Sequence, residues 1–236
     1  MVEFNVLQDE IDFFIPNEEL KVKVEQAGDE KIIIIDDFYK NPMAVRQLAK
    51  HIPTTRNPSL MHALPGARVE ASYYFGHFGY FLTEIITNIY KEDIDLIDRP
   101  LIQDCLNHAT FLINVQTSDE VLTSTRVPHI DNTENARYAV GIYLNTPEEC
   151  AGGTAFYTFK GEKTVDFLSS TDDDLRGYMY NHSYVQEDDE FWKKIYLAEM
   201  KFNRLVVYKQ NILHTPYVPA EKFTKENPRM IQMFFI

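Results

Sequence analysis

His129 and Asp131 stand two positions apart in Val127-Pro128-His129-Ile130-Asp131. Alternate residues of an extended segment project to the same side, so an imidazole and a carboxylate at this spacing can converge on one ion. A helix would set them on different flanks, and Pro128 disfavours a helix there. Alone the pair is a weak signal, since short motifs recur by chance and a surface His-Asp contact is the commoner outcome. The downstream residues strengthen it. Eighty-two residues separate His214 from Asp131, and Arg229 follows 15 positions after His214 at the head of an apolar run. Two imidazoles and one carboxylate are the ligand set of non-haem Fe(II) sites, which keep open positions for reactants. An arginine supplies a planar, permanently charged fork for a carboxylate. Among the other histidines, His62, His77, His108 and His182 share no such spacing and read as structural or surface residues.

These residues need elements to position them. The segments 111–117, 138–145, 153–159, 204–209 and 229–236 are short, apolar and rich in β-branched or aromatic residues, and most are bounded by turn residues. Such a series predicts a sandwich or barrel, of which a jelly roll is one solution. Further upstream, 31–38 (KIIIIDDF) reads as a buried strand. Asn41-Pro42 opens a helix with Val45, Leu48, Ala49 and Ile52 on one side. Phe78, Phe81, Leu82, Ile85, Ile86 and Ile89 mark a second, amphipathic helix, and 53–66 reads as loop. The organisation expected is a single domain over 1–236. Residues 1–108 form a supporting region of helices and strands, and 109–236 form the β core. An acidic, polar insert over 160–200 interrupts that core and is predicted to end in a helix from Asp188 carrying Phe191, Ile195 and Ala198. A segment of that length is a candidate lid or binding element, or a solvated excursion.

Composition narrows the function classes. With 36 acidic against 23 basic residues, the net charge of −13 argues against broad docking on nucleic acid or anionic membranes. No apolar run approaches a membrane span, and the acidic N-terminus is unlike a signal peptide. Cys105 and Cys150 read as two reduced thiols, so a cytoplasmic location is expected.

The stretches PHIDNTENARYAVGIYLNTPEECAGGTAFY and KFNRLVVYKQNILHTPYV…NPRMIQMFFI resemble the Fe(II)/2-oxoglutarate-dependent dioxygenases, most closely the prolyl-hydroxylase branch, over a little more than half the chain. The resemblance implies a mainly β protein with flanking helices (α+β), with a double-stranded β-helix (jelly-roll) core. It further implies Fe(II) held by His129, Asp131 and His214, with 2-oxoglutarate as cosubstrate. Arg229 and Tyr143, the tyrosine of the YLN strand end, would bind the far carboxylate of 2-oxoglutarate. A Gly-Gly turn, Gly152-Gly153, leads into the next strand. The implied reaction consumes O₂ and hydroxylates a C–H bond of an amino acid, small metabolite or peptidyl residue such as proline, releasing succinate and CO₂. Related halogenases carry a small residue where Asp131 stands, so hydroxylation is the expected outcome. Arg126, Asn132 and Arg137 flank the motif as candidate substrate contacts, and Trp192, Tyr178, Tyr180 and Tyr184 as candidate covers. Two other readings remain at this stage: a cupin-like metal enzyme without 2-oxoglutarate, and a non-catalytic jelly-roll binding module.

Overall fold

The computed structural model describes residues 14–51, 67–70, 76–91, 110–114, 127–131, 137–159, 185, 187–219, 222–224 and 226–235. Among the described residues the chain is mainly β, in two antiparallel sheets, with two helices. In chain order the strands are β1 (Lys21–Ala27), β2 (Glu30–Asp36), β3 (Ala67–Glu70), β4 (Thr110–Asn114), β5 (Tyr138–Tyr143), β6 (Gly153–Phe159), β7 (Trp192–Glu199), β8 (Leu205–Lys209), β9 (His214–Tyr217) and β10 (Arg229–Phe235). The helices are α1 (Pro42–His51) and α2 (Gly76–Tyr90). The larger sheet runs β1-β2-β8-β5-β10-β4-β3 and the smaller β7-β6-β9.

The isoleucine run explains the layering. A strand apolar at every position must be covered on both faces, and Ile32 to Ile35 are all buried. Ile33 and Ile35 share a cluster with Val140, Ile142, Leu205 and Val207 of the sheet, and with Val45 and Ala49 of α1 and Leu82 and Ile86 of α2. Ile32 and Ile34 belong to the opposite face, in a cluster with Ala139, Tyr143, Val206, Tyr208 and Ile231. Phe156 and Ala198 of the smaller sheet close that cluster. A third cluster lies on the far side of the smaller sheet, with Ala155, Tyr157, Phe159, Trp192, Val127 and Leu213. The helices therefore cover one face of the larger sheet and the smaller sheet covers the other. Asn41 caps α1, its Oδ1 accepting the Ala44 N–H at 3.3 Å, with Pro42 at the first helical position. Among the described residues, no helix is long and apolar enough to cross a membrane.

Two expectations are corrected. The helix expected from Asp188 is absent: Trp192–Glu199 is strand β7, paired along its length with β6. The pairing slips at Phe156/Tyr157, so Ile195 and Tyr196 both pack against the cluster between the sheets. That bulge breaks the two-residue alternation and leaves Ile195 and Ala198, three apart, facing the same cluster, whereas Phe191, ahead of the strand, packs on the far side of the smaller sheet. Asp189 accepts the N–H groups of Phe191 and Trp192 at 2.8 Å each, a capping pattern that here closes a turn before the strand. Residues 192–199 thus belong to the sheet, and Trp192 is buried beside Phe159 rather than covering a site. Tyr178, Tyr180 and Tyr184 lie outside the described residues, as do Ile52 and the loop 53–66. β1, β2 and β3 share one sheet with β4, β5, β8 and β10, and Ile33, Ile34 and Ile35 pair with Val207, Val206 and Leu205.

The Gly152-Gly153 turn brings β6 under the larger sheet. Both residues have positive φ, 66° and 155°. A Cβ on Gly152 would lie 1.9 Å from the Tyr217 carbonyl oxygen, and one on Gly153 2.0 Å from that of Ala198. Backbone on both sides leaves no room to relax. Gly153→Ala should therefore lower stability by about 3 kcal/mol or more, read as a shift in the urea midpoint. An unchanged midpoint would contradict this packing.

Candidate metal centre

The segment 127–131 lies outside the named strands and is tied to the turn joining β8 to β9. The His129 N–H donates to the His214 carbonyl and the His214 N–H to the His129 carbonyl, both at 2.9 Å. The Asp131 N–H donates to the Gln210 carbonyl at 3.0 Å. This short antiparallel bridge holds 127–131 extended, as the H-x-D spacing requires. Val127, in one apolar cluster with Leu213 and Tyr157, anchors its start. Strand β9 is fixed in turn by β6, with His214 opposite Phe156.

The three predicted ligands meet. One ligand atom from each of His129, Asp131 and His214 lies within 4.8 Å of the others. The His129 Nδ1 is 3.1 Å from the Val127 carbonyl and the His214 Nδ1 2.9 Å from that of Ile212. A carbonyl only accepts, so each Nδ1 carries the proton and each Nε2 of the neutral ring presents a lone pair. Holding a ring by its second nitrogen is the usual way a ligating histidine is oriented. The His214 Nε2 stands 3.3 Å from Asp131 Oδ2, a buried oxygen with no hydrogen-bond partner. At that distance the pair is joined either by a proton on His214 Nε2 or by a metal ion that takes the proton's place. The donor set fits a divalent transition ion, which would be held by both Nε2 atoms and Asp131.

Electrostatics point the same way. Burial, aided by His214, depresses His129 to about 4, so it is neutral near pH 7. For His214, burial alone lowers the value, but Asp131 outweighs it and the net shift is upward. For Asp131, burial alone raises the value, while His214 and then His129 bring it below the ordinary carboxylate range. The upward shift of His214 and the downward shift of Asp131 both favour an imidazolium–carboxylate pair when no metal is bound. An ion must displace the pair's proton.

Arg229 heads β10 and is buried. It alternates with Ile231 and Met233, which pack between the sheets. Its guanidinium carbon is 5.7 Å from the centre of the Tyr143 ring, and Nη2 is 3.5 Å from the Gly153 carbonyl oxygen. The Tyr143 hydroxyl is 2.7 Å from Thr154 Oγ1 and donates to the Ala198 carbonyl at 3.4 Å. Burial raises the Tyr143 phenol, with Arg229 the foremost opposing influence. Tyr208 went unmarked in the sequence. Its ring is 4.8 Å from His214 and packs edge-on at 5.0 Å to Phe156. Burial, then Asp131 and Tyr143, push its phenol well upward against the pull of Arg229. The only signal for it was its place on β8 two residues beyond Val206, on the same strand face. Of the candidate substrate contacts, Arg126 and Asn132 lie outside the described residues. Arg137 is exposed just before β5, its carbonyl accepting the Gln210 N–H at 3.0 Å.

Fold and site together define a two-sheet β protein carrying a candidate His-Asp-His metal centre. A family profile matches residues 16–231, and the chain belongs to that family, DUF6445, a family of unknown function. No curated protein matches the chain.

Zn²⁺ or Mn²⁺ uptake should release protons near neutral pH, and apparent affinity should fall as acidification protonates His214. Calorimetry in two buffers of different ionisation enthalpy measures both. Uptake without proton release would contradict the proton-for-metal exchange.

Proposed function

We propose that this protein is an Fe(II)- and 2-oxoglutarate-dependent oxygenase with a double-stranded β-helix core. Its substrate would be a C–H bond of an amino acid, a small metabolite or a peptidyl residue, prolyl among them. The observation that carries the reading is the convergence of two backbone-anchored imidazoles on one carboxylate, whose buried Oδ2 lies 3.3 Å from His214 Nε2. No packing requirement brings three such groups together, and burying them unsatisfied is costly. The β-helix assignment is supported by two antiparallel sheets sharing one apolar cluster, with His214 heading β9 of the smaller sheet.

His129, Asp131 and His214 would hold the iron. When bound, Fe(II) supplies O₂ activation, with 2-oxoglutarate and substrate oxidised together to succinate, CO₂ and the hydroxylated product. The chain's own residues orient and insulate. Asp131 offsets part of the metal charge and turns its ring-facing oxygen toward His214. Arg229 presents a cation to the distal carboxylate from within the fold, and the Tyr143 ring fixes one side of its guanidinium. Phe156 and Tyr208 pack around the His214 ring and exclude water from it. The buried position of Arg229 favours this reading over a metal enzyme without 2-oxoglutarate, in which that arginine would point away.

Purified protein with Fe(II) should convert 2-oxoglutarate to succinate, and a panel of amino acids, nucleotides and proline-containing peptides should contain a stimulator. Asp131→Ala should abolish turnover. Arg229→Met should raise KM for 2-oxoglutarate by at least about tenfold through loss of a charge-assisted pair, and Arg229→Lys should recover only part, because an ammonium lacks the fork. Metal-loaded protein that neither binds nor consumes 2-oxoglutarate would refute the proposal.

A further inference from the structure

Arg229 can face the interior only if the backbone at position 229 is held still, just where its strand begins. Pro228 precedes it and has no N–H to contribute. The β5–β10 pairing runs from Phe235 back to Ile231 opposite Tyr143, and one further bond joins the Leu144 N–H to the Met230 carbonyl at 3.0 Å. Beyond that point β5 turns away toward the Gly-Gly turn. On its other edge β10 stays paired with β4, Arg229 standing opposite Asn114, and on the β5 edge the side chain of Asn145 takes over. Its Nδ2 donates to the Pro228 carbonyl at 2.9 Å, and its Oδ1 accepts the Met230 N–H at 2.7 Å. One carboxamide thus bonds the residue before and the residue after Arg229, its amide orientation fixed by a donor on one side and an acceptor on the other. Asn145 is itself fully buried.

The turn carrying Asn145 is clamped in turn. Arg46 of α1 donates through Nη1 to the Leu144 carbonyl at 2.7 Å and through Nη2 to Glu149 Oε1 at 2.7 Å. The other Glu149 oxygen accepts the Thr146 N–H at 3.0 Å. The Arg46 Nη1 also lies 3.3 Å from Met230 Sδ, so the helix layer holds both the turn and the strand it brackets.

We propose that Asn145 is the positioning residue for Arg229: it sets the guanidinium for the cosubstrate carboxylate by bracketing the arginine's backbone, without touching the ligand. This rests on the 2-oxoglutarate role proposed above. Pre-organisation of this kind matters because a site loosened by a fraction of an ångström loses much of its binding.

The test is calorimetric titration of 2-oxoglutarate into Mn(II)-loaded full-length protein, beside a thermal melt. For Asn145→Ala, we expect Mn(II) affinity to change less than about twofold and the 2-oxoglutarate Kd to rise about tenfold, the scale on which supporting residues act. In turnover, KM for 2-oxoglutarate should rise with a much smaller change in kcat. Val45→Ala in the helix layer, a control for stability, should lower the melting temperature and leave the 2-oxoglutarate Kd unchanged. If Asn145→Ala does not fold, Asn145→Ser, which keeps one short polar group, is held to the same result. Wild-type protein that binds Mn(II) but not 2-oxoglutarate overturns the cosubstrate and this inference together. Wild-type that binds it, with an Asn145 variant that binds equally well, overturns the role of Asn145 alone.

Discussion

The site depends on one short piece of backbone pairing, the bridge between His129 and His214. Two reciprocal N–H···O=C bonds of 2.9 Å fix the separation of two histidines that are 85 positions apart in the chain. A third bond, from Asp131 to the Gln210 carbonyl, prevents the H-x-D segment from twisting out of its extended form. Side chains then need only local restraint, and carbonyls two residues upstream of each histidine provide it through Nδ1. The arrangement resembles one rung of a sheet extended to 127–131, with the ligand atoms gathered on one side of the rung.

The surrounding layers make that rung chemically useful. Packing between the two sheets buries Tyr143, Phe156, Tyr208 and Ile231 and removes water from the neighbourhood of His214. A low-dielectric setting strengthens each interaction of the carboxylate and also makes an unsatisfied oxygen costly. The opposed shifts of His129 and His214 follow from this. Burial wins at the first, whose value falls, and the proximity of Asp131 wins at the second, whose value rises. Arg229 is brought into the same interlayer space by alternation along β10, and the Asn145 carboxamide holds the backbone on either side of it.

Much of this could be read from the sequence, for identifiable reasons. Segments buried on both faces, such as 31–38 and 138–145, carry enough apolar residues in a row to declare themselves strands whatever their neighbours. The H-x-D spacing specified its own geometry, since two residues on one side of an extended chain can hardly do otherwise. What escaped were features created by pairing. A bulge opposite Phe156/Tyr157 made β7 look helical, because the extra residue restores a three-to-four spacing that a regular strand lacks. β1 alternates only Val22 and Val24 with charged residues, both valines are exposed, and the strand exists because β2 pairs with it. The roles of Tyr208 and Asn145 depend on what lies across the sheet, and single-residue patterns do not encode that. The glycine pair was visible as a turn, but its necessity comes from the carbonyls of Tyr217 and Ala198, both supplied by later strands.

The central claim, that His129, Asp131 and His214 hold one metal ion, is tested most directly by anomalous diffraction from protein loaded with Fe(II) without oxygen. The account predicts a single iron peak within bonding distance of both Nε2 atoms and an Asp131 oxygen, with the Nδ1 contacts to Val127 and Ile212 retained. Iron located elsewhere, or crystals that bind none while the three side chains keep their positions, would contradict it.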